Sequence, residues 1–430
     1  MLLIDDLQVE RDILPLFNFT HQEQSEAALR QLFDERPPTK AAVAERQAVV
    51  QAFLNNWAVL GNFSYSVLYF RGAQSFMQEV QSGRYLLAAG AKARWQFFFS
   101  EAKRHHVQSQ VVQLILFLEK LHTSYLARLD LASFPPAFRA ELTAANDFLG
   151  LFDLGAQAAA VRENAFTVSH ILQTTNVLQK LTAEETAAFW SFLFRFEAYW
   201  SVAKGVMQHQ LCFARFDDQQ LVVEDLYHPL VPQAVRNTFR LRPGENVLLL
   251  TGPNMAGKST FLKAISLCVY LAHLGLGVPA TACTLPYFDT IAVSINLNDN
   301  LRSGYSHFMT ELLHLKTVVE QLAQKGQQRC FAVFDELFRG TNQDDALDIT
   351  QATVGGLTRF PRSVFFLSTH LLQLEEQLPP LGAAVGAYHI DCSIVDGRPV
   401  FSYRLRRGWS QLKIGRLLFD EVGLDRLLKS

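Results

Sequence analysis

The segment Gly252-Pro253-Asn254-Met255-Ala256-Gly257-Lys258-Ser259-Thr260 fits the pattern G-x-x-x-x-G-K-[ST]. Glycines in such a loop let the backbone curl so that successive N–H groups point inward at phosphate oxygens. A helix starting there adds the positive end of its dipole. Lys258 would reach the β and γ phosphates as a point charge, and Ser259 would offer its hydroxyl to Mg²⁺. The flanks suit this chemistry. Val247-Leu248-Leu249-Leu250 is a short apolar run that predicts a buried strand, and Phe261-Leu262-Lys263-Ala264-Ile265 opens a predicted helix. The pattern with its flanks implies a nucleoside-triphosphate site.

Two further apolar runs end in polar groups that could complete such a site. Cys330-Phe331-Ala332-Val333-Phe334 reads as a buried strand and is followed by Asp335-Glu336. Acidic residues at the carboxyl end of a core strand stand in the crevice where parallel α/β sheets bind ligands. There Asp335 could hold Mg²⁺, and Glu336 could orient and deprotonate an attacking water. Taken alone, Asp335 would be read as the cap of a following helix; the phosphate loop upstream favours catalysis. Val364-Phe365-Phe366-Leu367-Ser368 is the third such strand and ends in Thr369-His370. It delivers a histidine to the same sheet edge, within reach of a γ-phosphate.

These pieces resemble, in order, the MutS family of DNA mismatch-repair ATPases. The family's T-G-P-N-M-G-G-K-S-T reads here Thr251 to Thr260, with Ala256 in place of a glycine. Its D-E-x-G-R-G-T reads Asp335-Glu336-Leu337-Phe338-Arg339-Gly340-Thr341, with Phe338 in place of a glycine. Its A-T-H reads Ser368-Thr369-His370. Between them, Asp299 to Glu311 looks like the family's D-D-L-x-x-G-x-S-T-F-M-x-E. The pair His228-Pro229 and a weaker tail pattern from Gly408 through Gly415 to Gly423-Leu424 extend the likeness over about 222–424.

The resemblance implies an ABC-like P-loop ATPase domain, a mostly parallel sheet flanked by helices, using ATP and Mg²⁺. Lys258, Glu336 and His370 would be catalytic, Ser259 and Asp335 would hold the metal, and Gly252 through Thr260 would hold the phosphates, with Asn254 a further contact. Gly304 and Ser306 would face the nucleotide of the opposite subunit, stiffened by a helix over 308–324. Such a site is complete only in a homodimer joined through the ATPase domains. DNA would be the macromolecular partner.

The 430-residue length allows two or three domains, and 49% hydrophobic with 19% charged residues describes a chain with a substantial core. A net charge of −2 gives no global nucleic-acid signature, so any DNA contact must be a local patch. The cysteines Cys212, Cys268, Cys283, Cys330 and Cys392 lack C-x-x-C spacing, which argues against zinc and disulfides and suits a reducing cytoplasm. The acidic Met1-Leu2-Leu3-Ile4-Asp5-Asp6 does not read as a signal peptide, and no apolar run predicts a membrane span. No Asn-Lys-x-Asp guanine motif is present, which disfavours a GTPase.

Residues 1–220 read as an all-α domain ahead of an ATPase domain over 221–430. Helical spacing is predicted over about 25–33, 40–57, 88–106, 107–129 and 183–210, with Thr182-Ala183-Glu184-Glu185 a capping box. Leu14 to Thr20 and Ala44 to Val49 resemble the start of the MutS lever region. The resemblance thus implies a short MutS-like protein without the mismatch-recognition and connector domains. Phe99-Ser100-Glu101 matches the mismatch-reading Phe-x-Glu only superficially, inside a predicted helix. The stretch from Lys92 to His106 mixes basic and aromatic residues and reads chiefly as one amphipathic helix rather than a phosphate-contacting face. Two roles follow: an ATP-dependent DNA-binding protein of repair or recombination, or an ATP-switched protein-interaction module that does not bind DNA.

Overall fold

A computed structural model describes residues 2–83, 101–295, 307–324, 328–395 and 398–410, with the isolated positions 412, 419, 427 and 428. Two compact units emerge. One contains 17–35 and 44–205; the other contains 1–16, 36–43 and 206–430. The opening residues, grouped with the helical half in the sequence reading, pack in the second unit because Leu2–Leu3 adds a strand to its sheet.

The first unit is helical. Its helices include Glu23–Asp34, Val67–Gln81, Glu101–Glu119, Pro136–Gly150, Leu154–Arg162 and Val168–Lys180. Lys40–Asn55 and Ala183–Gln208 are the long helices that enter it. The predicted span 40–57 is broken at Asn56, whose side chain bonds both its own helix and a distant segment. The Asn56 side chain donates to Ala52 O at 2.9 Å and accepts the Asp130 N–H at 2.8 Å, which turns the chain. The capping box at Thr182 forms: Glu185 N donates to Thr182 Oγ1 at 3.1 Å, and Thr182 N to Glu185 Oε2 at 2.8 Å.

Phenylalanine, tyrosine and tryptophan rings fill this core, with Phe63 against Trp200 at 5.1 Å and Phe53 against Phe196 at 4.9 Å. Its one fully buried carboxylate among the described residues, Glu197, accepts from His21 N at 2.7 Å, Ser25 Oγ at 2.6 Å and Tyr65 OH at 2.6 Å. Those bonds hold its pKa below the usual value against the opposing effect of burial. Residues 84–100 lie outside the described residues, and with them most of the expected helix over 88–106, Phe99-Ser100 and most of the basic, aromatic stretch. The last residues of that expected helix, 101–106, open helix Glu101–Glu119, which runs on across the expected break at 106.

The second unit is built on a mostly parallel sheet. In chain order its strands are β1 (Leu2–Leu3), β2 (Arg215–Phe216), β3 (Val222–Leu226), β4 (Asn237–Arg240), β5 (Val247–Thr251), β6 (Ala282–Leu285), β7 (Thr290–Ser294), β8 (Cys330–Phe334), β9 (Val364–Ser368), β10 (Val385–Val395) and β11 (Arg398–Arg407). The main sheet has the order β1-β7-β8-β9-β5-β10-β11, and only the β10–β11 pair is antiparallel. A second sheet, β2-β6-β3-β4, lies in the same unit.

Strands β5, β7, β8 and β9 are buried throughout, as continuous apolar runs in a parallel sheet covered on both faces must be. Val247, Leu249, Ala332, Phe334, Phe365 and Leu367 pack with Val318 and Leu322 of helix His307–Gln324 and with Val354 and Leu357 of helix Gln343–Leu357. On the other face Phe366 meets Phe261 and Phe239 at 6.3 and 5.2 Å. Because β5, β8 and β9 run parallel, their carboxyl ends open on one edge, and that edge carries the polar groups.

Candidate nucleotide site

Strand β5 ends at Thr251, which is anchored on both sides of its hydroxyl. Its Oγ1 donates to Tyr388 O at 3.2 Å and accepts the Ser410 N–H at 3.1 Å. The chain then turns through Gly252 at φ 134°, Met255 at φ 69° and Gly257 at φ 101°. A side chain at Gly252 would meet Ile390 O at 3.4 Å, and one at Gly257 would meet the Tyr403 ring at 3.3 Å. Both glycines are required by their left-handed φ, whereas a Cβ would make only ordinary contact at Gly252 and press slightly on the Tyr403 ring at Gly257. Ala256, where the family pattern has glycine, is fully buried and is not among the positive-φ positions, so its methyl group fits. Helix Lys258–Leu274 starts directly after Gly257 and continues to a Gly275 C-cap at φ 75°.

Lys258 is 5% exposed, and its Nζ donates to Gly252 O at 2.9 Å and Pro253 O at 3.2 Å. Burial pulls its pKa down, while Glu336 and Asp335 oppose that shift. The lysine and the acidic pair, 77 positions apart from Lys258 to Asp335, thus lie in one electrostatic neighbourhood.

The second strand end brings Asp335 and Glu336. Asp335 N donates to Ser294 O at 2.8 Å, which ties β8 to the end of β7. Glu336 takes the left-handed conformation at φ 52°. Both of its carboxylate oxygens are engaged: His370 Nε2 lies 2.7 Å from Oε1, and Arg339 Nη1 lies 2.8 Å from Oε2. The His370 bond comes first among the causes that hold the Glu336 carboxyl down at about 2. Phe338 also takes positive φ, 67°, at the position where the family pattern has glycine. The substitution therefore keeps the left-handed backbone, and the ring is fully buried, 6.2 Å from Phe308.

The third strand end brings Ser368, Thr369 and His370. Thr369 N donates to Leu250 O at 3.1 Å, which joins the ends of β9 and β5. The residues Lys258, Asp335, Glu336 and His370 are thus assembled at one sheet edge. Ser306 and the whole of 296–306 lie outside the described residues; helix His307–Gln324 follows them. Most of the tail pattern beyond Gly408 lies outside them as well.

A cavity of about 410 Å³ adjoins the loop, lined by Tyr227, His228, Val235, Gly257, Phe261 and Tyr403 among others. Motif reading did not find its tyrosines. Tyr403 sits at φ 55° on β11, held there by Asn237, whose side chain donates to Tyr403 O at 3.0 Å and accepts the Leu405 N–H at 2.7 Å. That amide docks a distant strand, a relationship with no local sequence signal. Among the described residues no cluster of three or more His, Cys, Asp or Glu side chains could hold a metal by itself.

Comparison with known proteins finds similarity over the half of the chain that carries these motifs. Residues 248–419 match the family model described as MutS domain V. Over its C-terminal half the chain is accordingly similar to MutS proteins. It is 30% identical over 221 residues to the DNA mismatch repair protein MutS of Halalkalibacterium halodurans, a stretch covering 49% of this chain and 25% of that protein. The MutS proteins of Bacillus licheniformis and of a Geobacillus species are 32% and 31% identical over 209 and 201 residues. Those stretches cover 46% and 45% of this chain but only 23% and 22% of those proteins. Among the described residues no helix is long and apolar enough to cross a membrane.

Proposed function

We propose that this chain binds and hydrolyses ATP and uses the nucleotide cycle to control DNA binding in repair or recombination. The observation that carries the reading is the convergence of the Gly252–Thr260 loop, Lys258, Asp335-Glu336 and His370 on the carboxyl edge of one parallel sheet. The division we propose is a helical lever region over 17–35 and 44–205, and a P-loop ATPase domain of the ABC-like kind that takes in 206–430 together with 1–16 and 36–43. A cytoplasmic location agrees with the free cysteines.

The loop backbone and Lys258 would receive the triphosphate, and the base would enter the adjoining cavity beside Tyr227 and Tyr403. The positive φ of Gly252 and Gly257 fits a backbone that closely wraps an anion. Mg²⁺ would be held by Ser259 and Asp335 together with phosphate oxygens, where it neutralises charge on the β and γ phosphates. Water attacks the γ phosphorus as the bond to the bridging oxygen breaks, and ADP leaves with that electron pair. Glu336 lies where it can orient the water. Its depressed pKa makes it a weak proton acceptor, so its main contribution is orientation, with the proton passing on to the phosphate released. His370 both holds Glu336 and stands ready for the γ-phosphate.

Ser306 would serve the nucleotide of a second subunit, making the active species a homodimer. Exposed Met255, on the loop, and Leu313, on helix His307–Gln324, supply apolar surface for such a contact. The test of the DNA reading is fluorescence anisotropy of labelled homoduplex, mismatched and branched DNA, with and without a slowly hydrolysed ATP analogue, at two salt concentrations. Nucleotide-dependent binding supports it.

The ATP-switched protein-interaction module remains the second reading, and one observation favours it. The helical unit has a groove of about 640 Å³ between helices Pro136–Gly150 and Ala183–Gln208, lined by Phe148, Leu151, Phe189 and the carboxylates of Glu141, Asp147 and Glu185. Arg195 also lines the groove and pairs with Glu141 at 2.7 Å, which leaves Asp147 and Glu185 as its uncompensated charges. An apolar groove with that net acidic lining suits a cationic protein segment better than DNA. No DNA binding by a preparation that hydrolyses ATP would select it.

A further inference from the structure

We propose that Ser368 is a positioning residue for the Asp335-Glu336 pair, an inference that rests on the ATPase reading above. Ser368 is the last residue of β9 and is completely buried. In the parallel β8–β9 ladder Phe334 stands opposite Leu367, which sets Ser368 beside the first residue after β8. Its Oγ donates to Asp335 Oδ1 and accepts the Glu336 N–H at 2.8 Å. One hydroxyl therefore spends its proton on the metal-binding carboxylate and a lone pair on the backbone of the water-orienting glutamate.

Two consequences follow from that geometry. With Oδ1 engaged, Asp335 is fixed in rotation and keeps Oδ2 for a metal-bound water. The Glu336 amide, in turn, is fixed in the left-handed turn that presents its carboxylate to His370 and Arg339. A residue in that conformation without glycine's freedom persists only where its surroundings hold it. Alanine, which the family's A-T-H pattern carries at this position, could make neither bond. A purely structural role, capping the strand end, would affect stability alone. A positioning role must appear in the response to Mg²⁺, because partners of metal-ligating groups typically change metal affinity or activity by about 10–100-fold.

The experiment uses the full chain as wild type, Ser368→Ala and Asp335→Ala. Binding of a fluorescent, slowly hydrolysed ATP analogue is measured in EDTA and across a Mg²⁺ titration, alongside ATP turnover. Ser368→Ala is expected to bind the nucleotide in EDTA as wild type does, to need about tenfold more Mg²⁺ for the gain in affinity, and to turn over about tenfold more slowly. A Ser368→Ala chain within about twofold of wild type in Mg²⁺ midpoint and turnover, while Asp335→Ala loses both, overturns the proposal and leaves the site assignment standing. An Asp335→Ala chain with the wild-type Mg²⁺ response overturns the assignment of Asp335 and this proposal with it. Should Ser368→Ala lose binding in EDTA as well, Ser368→Thr decides: it keeps the hydroxyl, so a wild-type Mg²⁺ response supports positioning and a tenfold weaker one overturns it.

Discussion

The Glu311 carboxylate accepts the backbone N–H of Phe338 at 2.8 Å. Glu311 is 3% exposed on helix His307–Gln324, the helix that follows the proposed composite-site segment. Phe338 lies in the turn that carries Asp335 and Glu336. The contact is reinforced at Gly340, where any Cβ would come within 2.9 Å of Phe308 Cβ. One helix thus grips the turn that carries Asp335 and Glu336 in its own chain, through a charge-assisted hydrogen bond and close packing.

That grip has a measurable strength. Phe338→Gly would relieve a left-handed conformation costing about 1–2 kcal/mol but delete a fully buried ring worth about 3–5 kcal/mol. The variant is expected to be less stable by about 1–4 kcal/mol, read as a lower urea midpoint of the α/β unit. Glu311→Ala, which removes the acceptor of a buried amide, should cost about 1–3 kcal/mol. An unchanged midpoint in both would mean the turn is held by other contacts.

Glu336→Ala should separate binding from chemistry. Lys258 and the loop amides remain in place, so nucleotide affinity is expected to stay within about threefold while turnover falls by about 100-fold or more. Because the wild-type carboxyl titrates near 2, no acid limb from Glu336 should appear in the turnover profile between pH 5 and 8. Turnover by the alanine variant at the wild-type rate would remove Glu336 from the mechanism.

Gly257→Ala tests the loop itself. A methyl group there meets both an unfavourable φ of 101° and the Tyr403 ring. Nucleotide binding should weaken by about tenfold or more, since the left-handed strain alone is about 1–2 kcal/mol. Tyr403→Ala relieves the contact but not the backbone, so the double variant should recover only part of the loss. Full recovery in the double variant would show that the ring contact, not φ, sets the requirement.

His273 predicts an acid-sensitive core. Its Nδ1 lies 2.7 Å from Val269 O and its Nε2 accepts the Phe288 N–H at 2.8 Å, an arrangement that fits only the neutral ring. Burial, helped by the nearby Arg36 charge, pushes its pKa down to about 3. The unfolded histidine takes up its proton near pH 6.5 and the folded one does not. Stability from this residue is therefore intact above about pH 6.5 and falls on acidification toward 3, by about 1.4 kcal/mol per pH unit. His273→Gln should flatten the slope of unfolding free energy between pH 6.5 and 5. Parallel slopes for the two chains would refute the assignment.

The sequence alone determined the strands β5, β8 and β9, since runs of four or five apolar residues ending at a polar group are too short for a helix and suit a buried strand in a parallel sheet. It also determined the phosphate-loop pattern, because its glycines answer to local backbone geometry. Helix ends were less legible: the stop before Asn56 depends on Asp130, 74 positions away. What only the tertiary structure decided is how side chains distant in sequence share one edge. The order β8-β9-β5 makes Ser368 a partner of Asp335 and His370 a partner of Glu336, and the Asn237 amide brings Tyr403 to Gly257. Such relations follow from strand order and register, which periodicity within a segment cannot encode. Phe338 shows the limit from the other side: its residue type argued against a left-handed turn, and burial with Glu311 overrode that preference.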